Sequence, residues 1–119
     1  MTFDHVVLMA SDLDASLPWW EAVMTAIGFR KTRDHVWVNE ADQAVDLKQA
    51  DEPEPGYRRY GPGMNHIAFQ AKSRAEVERV RAEVAAAGFE VPEIRGFGET
   101  VALFLKDPDG MRVEVVAYA

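Results

Sequence analysis

His5, His66, Asp46 and Glu114 are the residues whose types and surroundings offer chemistry. His5 stands near the start of the apolar run Phe3-Asp4-His5-Val6-Val7-Leu8-Met9, and His66 near the start of Met64-Asn65-His66-Ile67-Ala68-Phe69-Gln70-Ala71. At the two-residue period of a strand, His66 shares a face with Met64, Ala68 and Gln70, while Ile67, Phe69 and Ala71 take the core side. His5 likewise opposes Val6 and Leu8. The carboxylates each stand alone between apolar neighbours, in Val45-Asp46-Leu47 and Val113-Glu114-Val115. A carboxylate in a half-buried strand needs a partner, because an unpaired buried charge is costly. One partner is a salt bridge, Asp46 with Lys48 and Glu114 with Arg112 or another arginine. The other is a divalent metal held by His5, His66 and Glu114, with Asp46 as a fourth ligand. Two imidazoles and a carboxylate suit iron(II), nickel, cobalt, manganese or zinc, and leave positions open for substrate or water. Spacing alone leaves both partners open.

The elements that must position these residues come in two matching sets. A strand over about 3–9 leads to helix-start residues Ser11, Asp12 and Asp14. The helix then runs to Ile27 with Trp19, Val23 and Ile27 as its buried stripe, Pro18 within the first turn or so, and Gly28 ending it. Short strands follow at Phe29–Arg33, Val36–Asn39 and Ala44–Lys48. Residues 51–63 have linker composition, rich in proline, glycine and charge. A strand at Met64–Ala71 then leads to the capping box Ser73-Arg74-Ala75-Glu76 and a helix burying Val77, Val80 and Val84, closed by Gly88. Strands at Glu90–Ile94, Thr100–Lys106 and Met111–Ala117 complete it, the last two joined by the turn Asp107-Pro108-Asp109-Gly110. The expected fold is α+β: two tandem βαβββ modules, about 1–50 and 64–119, sharing one domain because neither is large enough to bury a core alone. His66 lies 61 residues after His5, and Gly88 lies 60 after Gly28. The closing strands align at 67 by their turn aspartates or at 68 by their carboxylates, a slip of one residue.

Composition bounds the function. A chain of 119 residues is of single-domain size, and a net charge of −7 without a basic patch argues against nucleic acid as a partner. Cysteine is absent, so any transition metal must sit on nitrogen and oxygen ligands. No apolar run reaches the roughly 20 residues of a membrane span, and the N-terminus lacks the pattern of a signal peptide. Cytoplasmic location, with no membrane partner, is the expectation by default.

Several segments together resemble the vicinal oxygen chelate superfamily, which includes glyoxalase I, extradiol dioxygenases, and fosfomycin- and bleomycin-resistance proteins. They are Asp4-His5-Val6, Asp12-Leu13-Asp14-Ala15-Ser16-Leu17 leading to Trp19-Trp20 and Gly28-Phe29, Asn65-His66-Ile67-Ala68-Phe69, and Phe104-Leu105-Lys106-Asp107-Pro108-Asp109-Gly110-Met111-Arg112-Val113-Glu114. The resemblance implies paired βαβββ modules curled into a cup-like mixed sheet, with helices outside and one divalent metal on the concave face. It implies His5, His66 and Glu114 as ligands, and places Asp46 where glyoxalase I carries a glutamate one methylene longer. The chemistry implied is chelation of a small oxygenated substrate and stabilisation of an oxyanion or enediolate, in a lyase, isomerase or dioxygenase. Asp46 and Glu114 then carry the reaction, Asp46 as base. The cationic cluster of the fosfomycin enzymes would draw on Lys48, Arg58, Arg59 and Arg112. Trp37 could wall an apolar pocket, and Tyr57 and Tyr60 could close over it. His35 reads as a solvated turn residue. The alternative is a metal-free binding protein like those for bleomycin, and a homodimer is expected in either case.

Overall fold

The computed structural model describes residues 1–118, and the chain divides into two compact units, Met1–Gly56 and Tyr57–Ala119. The first contains β1 (His5–Ala10), α1 (Leu13–Ala26), β2 (Arg30–Arg33), β3 (Val36–Val38) and β4 (Ala44–Gln49). The second contains β5 (His66–Gln70), α2 (Arg74–Ala86), β6 (Arg95–Phe97), β7 (Thr100–Lys106) and β8 (Arg112–Ala117). Each unit is βαβββ with a four-stranded mixed sheet, in the orders β1-β4-β3-β2 and β5-β8-β7-β6. In both, the leading strand pairs parallel with the closing strand, and the other neighbours are antiparallel. A parallel pair needs a long crossover, which the helix and the two intervening strands supply.

The helices start and stop by the same chemistry. Asp12 caps α1 by accepting from the Ala15 amide at 3.2 Å, and Ser73 caps α2 by accepting from the Glu76 amide at 3.2 Å. Glu76 reaches back past the cap, accepting from the Lys72 amide at 2.7 Å. At the other end Gly28 has φ 93° and Gly88 φ 97°, the left-handed conformation that glycine adopts without a Cβ clash. The next residues close the ladder, Phe29 N–H to Met24 C=O at 2.9 Å and Phe89 N–H to Val84 C=O at 3.4 Å. Both ends are Schellman motifs, sixty residues apart. Pro18 lies at the sixth position of α1, deeper than a first-turn proline. Its missing N–H leaves the Asp14 carbonyl without an intrahelical donor.

The core of each unit lies between helix and sheet. Trp19, Trp20, Val23 and Met24 of α1 are buried with Leu8, Trp37, Val45 and Leu47; Val77, Val80 and Val84 of α2 are buried with Leu103, Leu105, Val113 and Val115. The opposite sheet faces are therefore free for polar work. The sixth strand departs from the expected Glu90–Ile94 and lies at Arg95–Phe97. Pro92 has no N–H to give a ladder, so the chain runs unpaired from 89 to 94 before joining β7.

The turn before β8 is fixed by a buried carboxylate. Asp107 is 3% exposed, and its Oδ1 accepts from the amides of Asp109 at 3.0 Å and Met111 at 2.8 Å. Asp107→Ala strands both donors and is expected to cost about 1–3 kcal/mol. The check is the midpoint of urea unfolding; an unchanged midpoint would mean that water satisfies both amides.

Candidate metal centre

Strand register brings histidine and carboxylate onto one face in each unit. His66 stands opposite Arg112 and Ala68 opposite Glu114; His5 stands opposite Ala44 and Val7 opposite Asp46. Since Val7 and Ala68 are 61 residues apart, as the histidines are, the ladders settle the alignment of the closing strands. Asp46 corresponds to Glu114, at the offset of 68.

In the second unit the pair meets. His66 Nε2 lies 3.2 Å from Glu114 Oε2, with the two side chains 38% and 15% exposed. The other ring nitrogen is already committed. His66 Nδ1 lies 2.7 Å from Asn65 Oδ1, while Asn65 Nδ2 donates to the Arg59 carbonyl at 3.1 Å. With its amide nitrogen spent on Arg59, Asn65 presents an oxygen to the ring, and an oxygen can only accept. Nδ1 therefore carries the proton. Phe104 meets the His66 ring edge-on, with centroids 6.0 Å apart. The salt bridge between Glu114 and Arg112 does not form; Arg112 Nη1 donates instead to the Gly110 carbonyl at 2.6 Å.

In the first unit the same positions are used differently. His5 Nδ1 lies 2.5 Å from Asp4 Oδ2, so the residue before the histidine again holds Nδ1 and leaves Nε2 free. Asp46, 14% exposed, gives Oδ1 to His35 Nδ1 at 3.3 Å and Oδ2 to Lys48 Nζ at 3.7 Å. The Asp46–Lys48 salt bridge does form. His35 sits in the expected turn, with φ 53°, but its side chain is only 33% exposed. The register Val36 opposite Asp46 is what carries the preceding residue to this carboxylate, and no local signal in the sequence marks that pairing.

Within each unit, among the described residues, no three histidine, aspartate or glutamate side chains gather closely enough to hold a metal ion. Other expected site residues divide. Trp37 is fully buried on the core face with Val45, so it packs the interior. Tyr57 donates its hydroxyl to the Met64 and Asn65 carbonyls at 2.7 and 3.0 Å, which ties it to the approach of β5. Tyr60 is 84% exposed, with the Arg59 guanidinium 5.2 Å from its ring centre. Arg112 lines a pocket of about 440 Å³ in the second unit. No helix is long and apolar enough to cross a membrane, among the described residues.

A family model described as Glyoxalase/Bleomycin resistance protein/Dioxygenase superfamily matches residues 2–115. The Bacillus subtilis protein YqjT, itself uncharacterised, is 33% identical over 126 residues, covering 95% of this chain and 96% of that one. Among solved structures, a putative glyoxalase from Bacillus halodurans superposes with a TM-score of 0.80 at 22% identity, covering 98% of this chain and 95% of that one. A lactoylglutathione lyase from Agrobacterium tumefaciens superposes at 0.66 and 22% identity, covering 98% and 92%. At these identities the structural likenesses speak for the fold.

The tautomer of His66 is directly measurable. Long-range ¹H–¹⁵N spectra of the metal-free protein are expected to show Nδ1 protonated, and Asn65→Ala to let the proton redistribute between the two nitrogens. A ring protonated on Nε2 alone would contradict the Asn65 contact.

Proposed function

We propose that this chain, which belongs to the glyoxalase/bleomycin resistance protein/dioxygenase superfamily, is a metal-dependent enzyme acting on a small oxygenated substrate. His66 and Glu114 are the ligands of the second unit and His5 that of the first, with Asp46 as the carboxylate that moves a proton. One observation carries the reading. With Nδ1 of His66 protonated, the lone pair of Nε2 faces a carboxylate oxygen at 3.2 Å. Two acceptors at that distance repel unless a positive charge joins them, either a proton on Nε2 or a cation bound by both. The donors are a borderline nitrogen and a hard oxygen, which fit iron(II), nickel, cobalt, manganese or zinc.

A divalent ion on these ligands supplies Lewis acidity towards two substrate oxygens and stabilises negative charge developing on one of them. The remaining work belongs to the chain. Asn65 fixes the plane and tautomer of the His66 ring, and Asp4 does the same for His5. Asp46, its oxygens divided between His35 and Lys48, has a fixed carboxylate plane from which to take and return a proton. Arg112 keeps most of its five donors for an anionic oxygen after giving one to Gly110. Assembly as a homodimer belongs to the same reading, because β1 and β5 each stand at the end of their own sheet with a free edge.

Elemental analysis after reconstitution is expected to find one equivalent of divalent metal per chain, lost in His66→Ala and in Glu114→Gln. Asn65→Ala is expected to weaken binding by about ten- to a hundredfold. Protein that stays metal-free after reconstitution would overturn the reading and favour a sequestering protein. Light scattering at micromolar concentration is expected to give twice the chain mass; a monomer would refute the dimer alone.

A further inference from the structure

The pocket of about 440 Å³ beside His66 and Glu114 is lined by four cationic side chains, Arg59, Arg95, Lys106 and Arg112. The sheet explains the gathering. His66 is opposite Arg112, and Arg112 is opposite Lys106, so a histidine, an arginine and a lysine form one row across β5, β8 and β7. Phe104, opposite Glu114 and edge-on to His66, belongs to the same face and the same pocket. The pocket therefore shares a wall with the proposed metal ligands.

Two carboxylates also line it, Glu90 and Glu93. Glu93 is held from outside by Arg81, at 3.3 Å, whose Nε donates to the Pro92 carbonyl at 2.7 Å. Four cations thus face one carboxylate without an outside partner, on a chain whose net charge is −7. Cations gathered on an acidic protein raise the local concentration of anions against the average field. Arg59, a further cation of the lining, has its Nε buried without a hydrogen-bond partner among the described residues. Phe97 and Phe104 add apolar wall, so the occupant is not a bare inorganic ion.

We infer that this pocket binds a small organic anion, a carboxylate or phosphonate carried on an apolar or aromatic body, with the anionic group against Arg95, Lys106 and Arg112 and the body against Phe97 and Phe104. The inference rests on the proposed metal centre only in naming the occupant as that centre's substrate class; the anion site itself needs no metal. A substrate bound this way is held at its anionic end while its reacting oxygens lie towards His66 and Glu114.

Titration calorimetry in EDTA with phenylphosphonate and with benzyl alcohol tests it. Phenylphosphonate is expected to bind one per chain, more weakly as salt rises, and at least about tenfold more tightly than the neutral alcohol. Arg95→Gln with Lys106→Gln is expected to weaken it at least about tenfold. Arg74→Gln with Arg79→Gln, the same charge change on α2, which packs on the other face of the same sheet, should leave it within about twofold. Absence of binding, equal affinity for the alcohol, or no response to the Arg95 and Lys106 changes in a folded variant would each overturn the inference. His66→Ala separates the two readings: it should lose metal yet keep phenylphosphonate. Metal retained by this variant would sink the metal centre alone, and phenylphosphonate lost in EDTA would sink the anion site alone.

Discussion

A histidine ring nitrogen and a carboxylate oxygen that face each other at 3.2 Å need a positive charge between them. The rest of the second unit holds the pair in place. The parallel pairing of β5 and β8 brings the two side chains onto one face, two residues out of step, and Asn65 prevents the ring from turning its proton inward. Asn65 is held in turn by the Arg59 carbonyl. The exposed end of a strand thereby acquires a side chain with one ring orientation, which an isolated surface histidine would lack.

The two units show what a repeat preserves and what it releases. Caps, terminal glycines, sheet order and the placement of histidine and carboxylate on the ladder recur. The partners of the carboxylates do not. Glu114 reaches the histidine of its own sheet, while Asp46, one methylene shorter, is taken up by His35 and Lys48. The same backbone position supports a histidine–carboxylate pair in one unit and a carboxylate shared between His35 and Lys48 in the other.

Most of the fold was legible because its signals are local. Gly28 and Gly88 mark positions that only a residue without Cβ occupies cheaply, and Asp12, Ser73 and Asp107 satisfy amides within a few residues of themselves. Period-two alternation placed Glu114 and Asp46 on the polar faces correctly. The failures are non-local. The apolar residues near Val91 read as a strand, but Pro92 denied them a ladder and pairing began only at Arg95. Trp37 shares a face with the core because β3 pairs in that register with β4, a fact about the neighbour that its own sequence does not contain. His35 met Asp46 for the same reason. Of the site, residue types and faces were readable; the partners depended on which strands lie side by side.

The two halves are unequal in one stretch. Their leading strands and helix starts keep step at an offset of 61 and their helix ends at 60, yet their closing strands lie 68 apart, so the second carries spare chain between helix and final strand. β7 has seven residues where β3 has three, and Arg95, Phe97, Phe104 and Lys106 all belong to that longer hairpin. A repeat that keeps its framework and lengthens a single loop-and-strand segment thus has room for a different surface there. Phe104 and Lys106 keep the ladder positions of Val36 and Val38, so the extra chain falls before them, and substitutions there leave the helix caps and the His66–Glu114 pairing untouched.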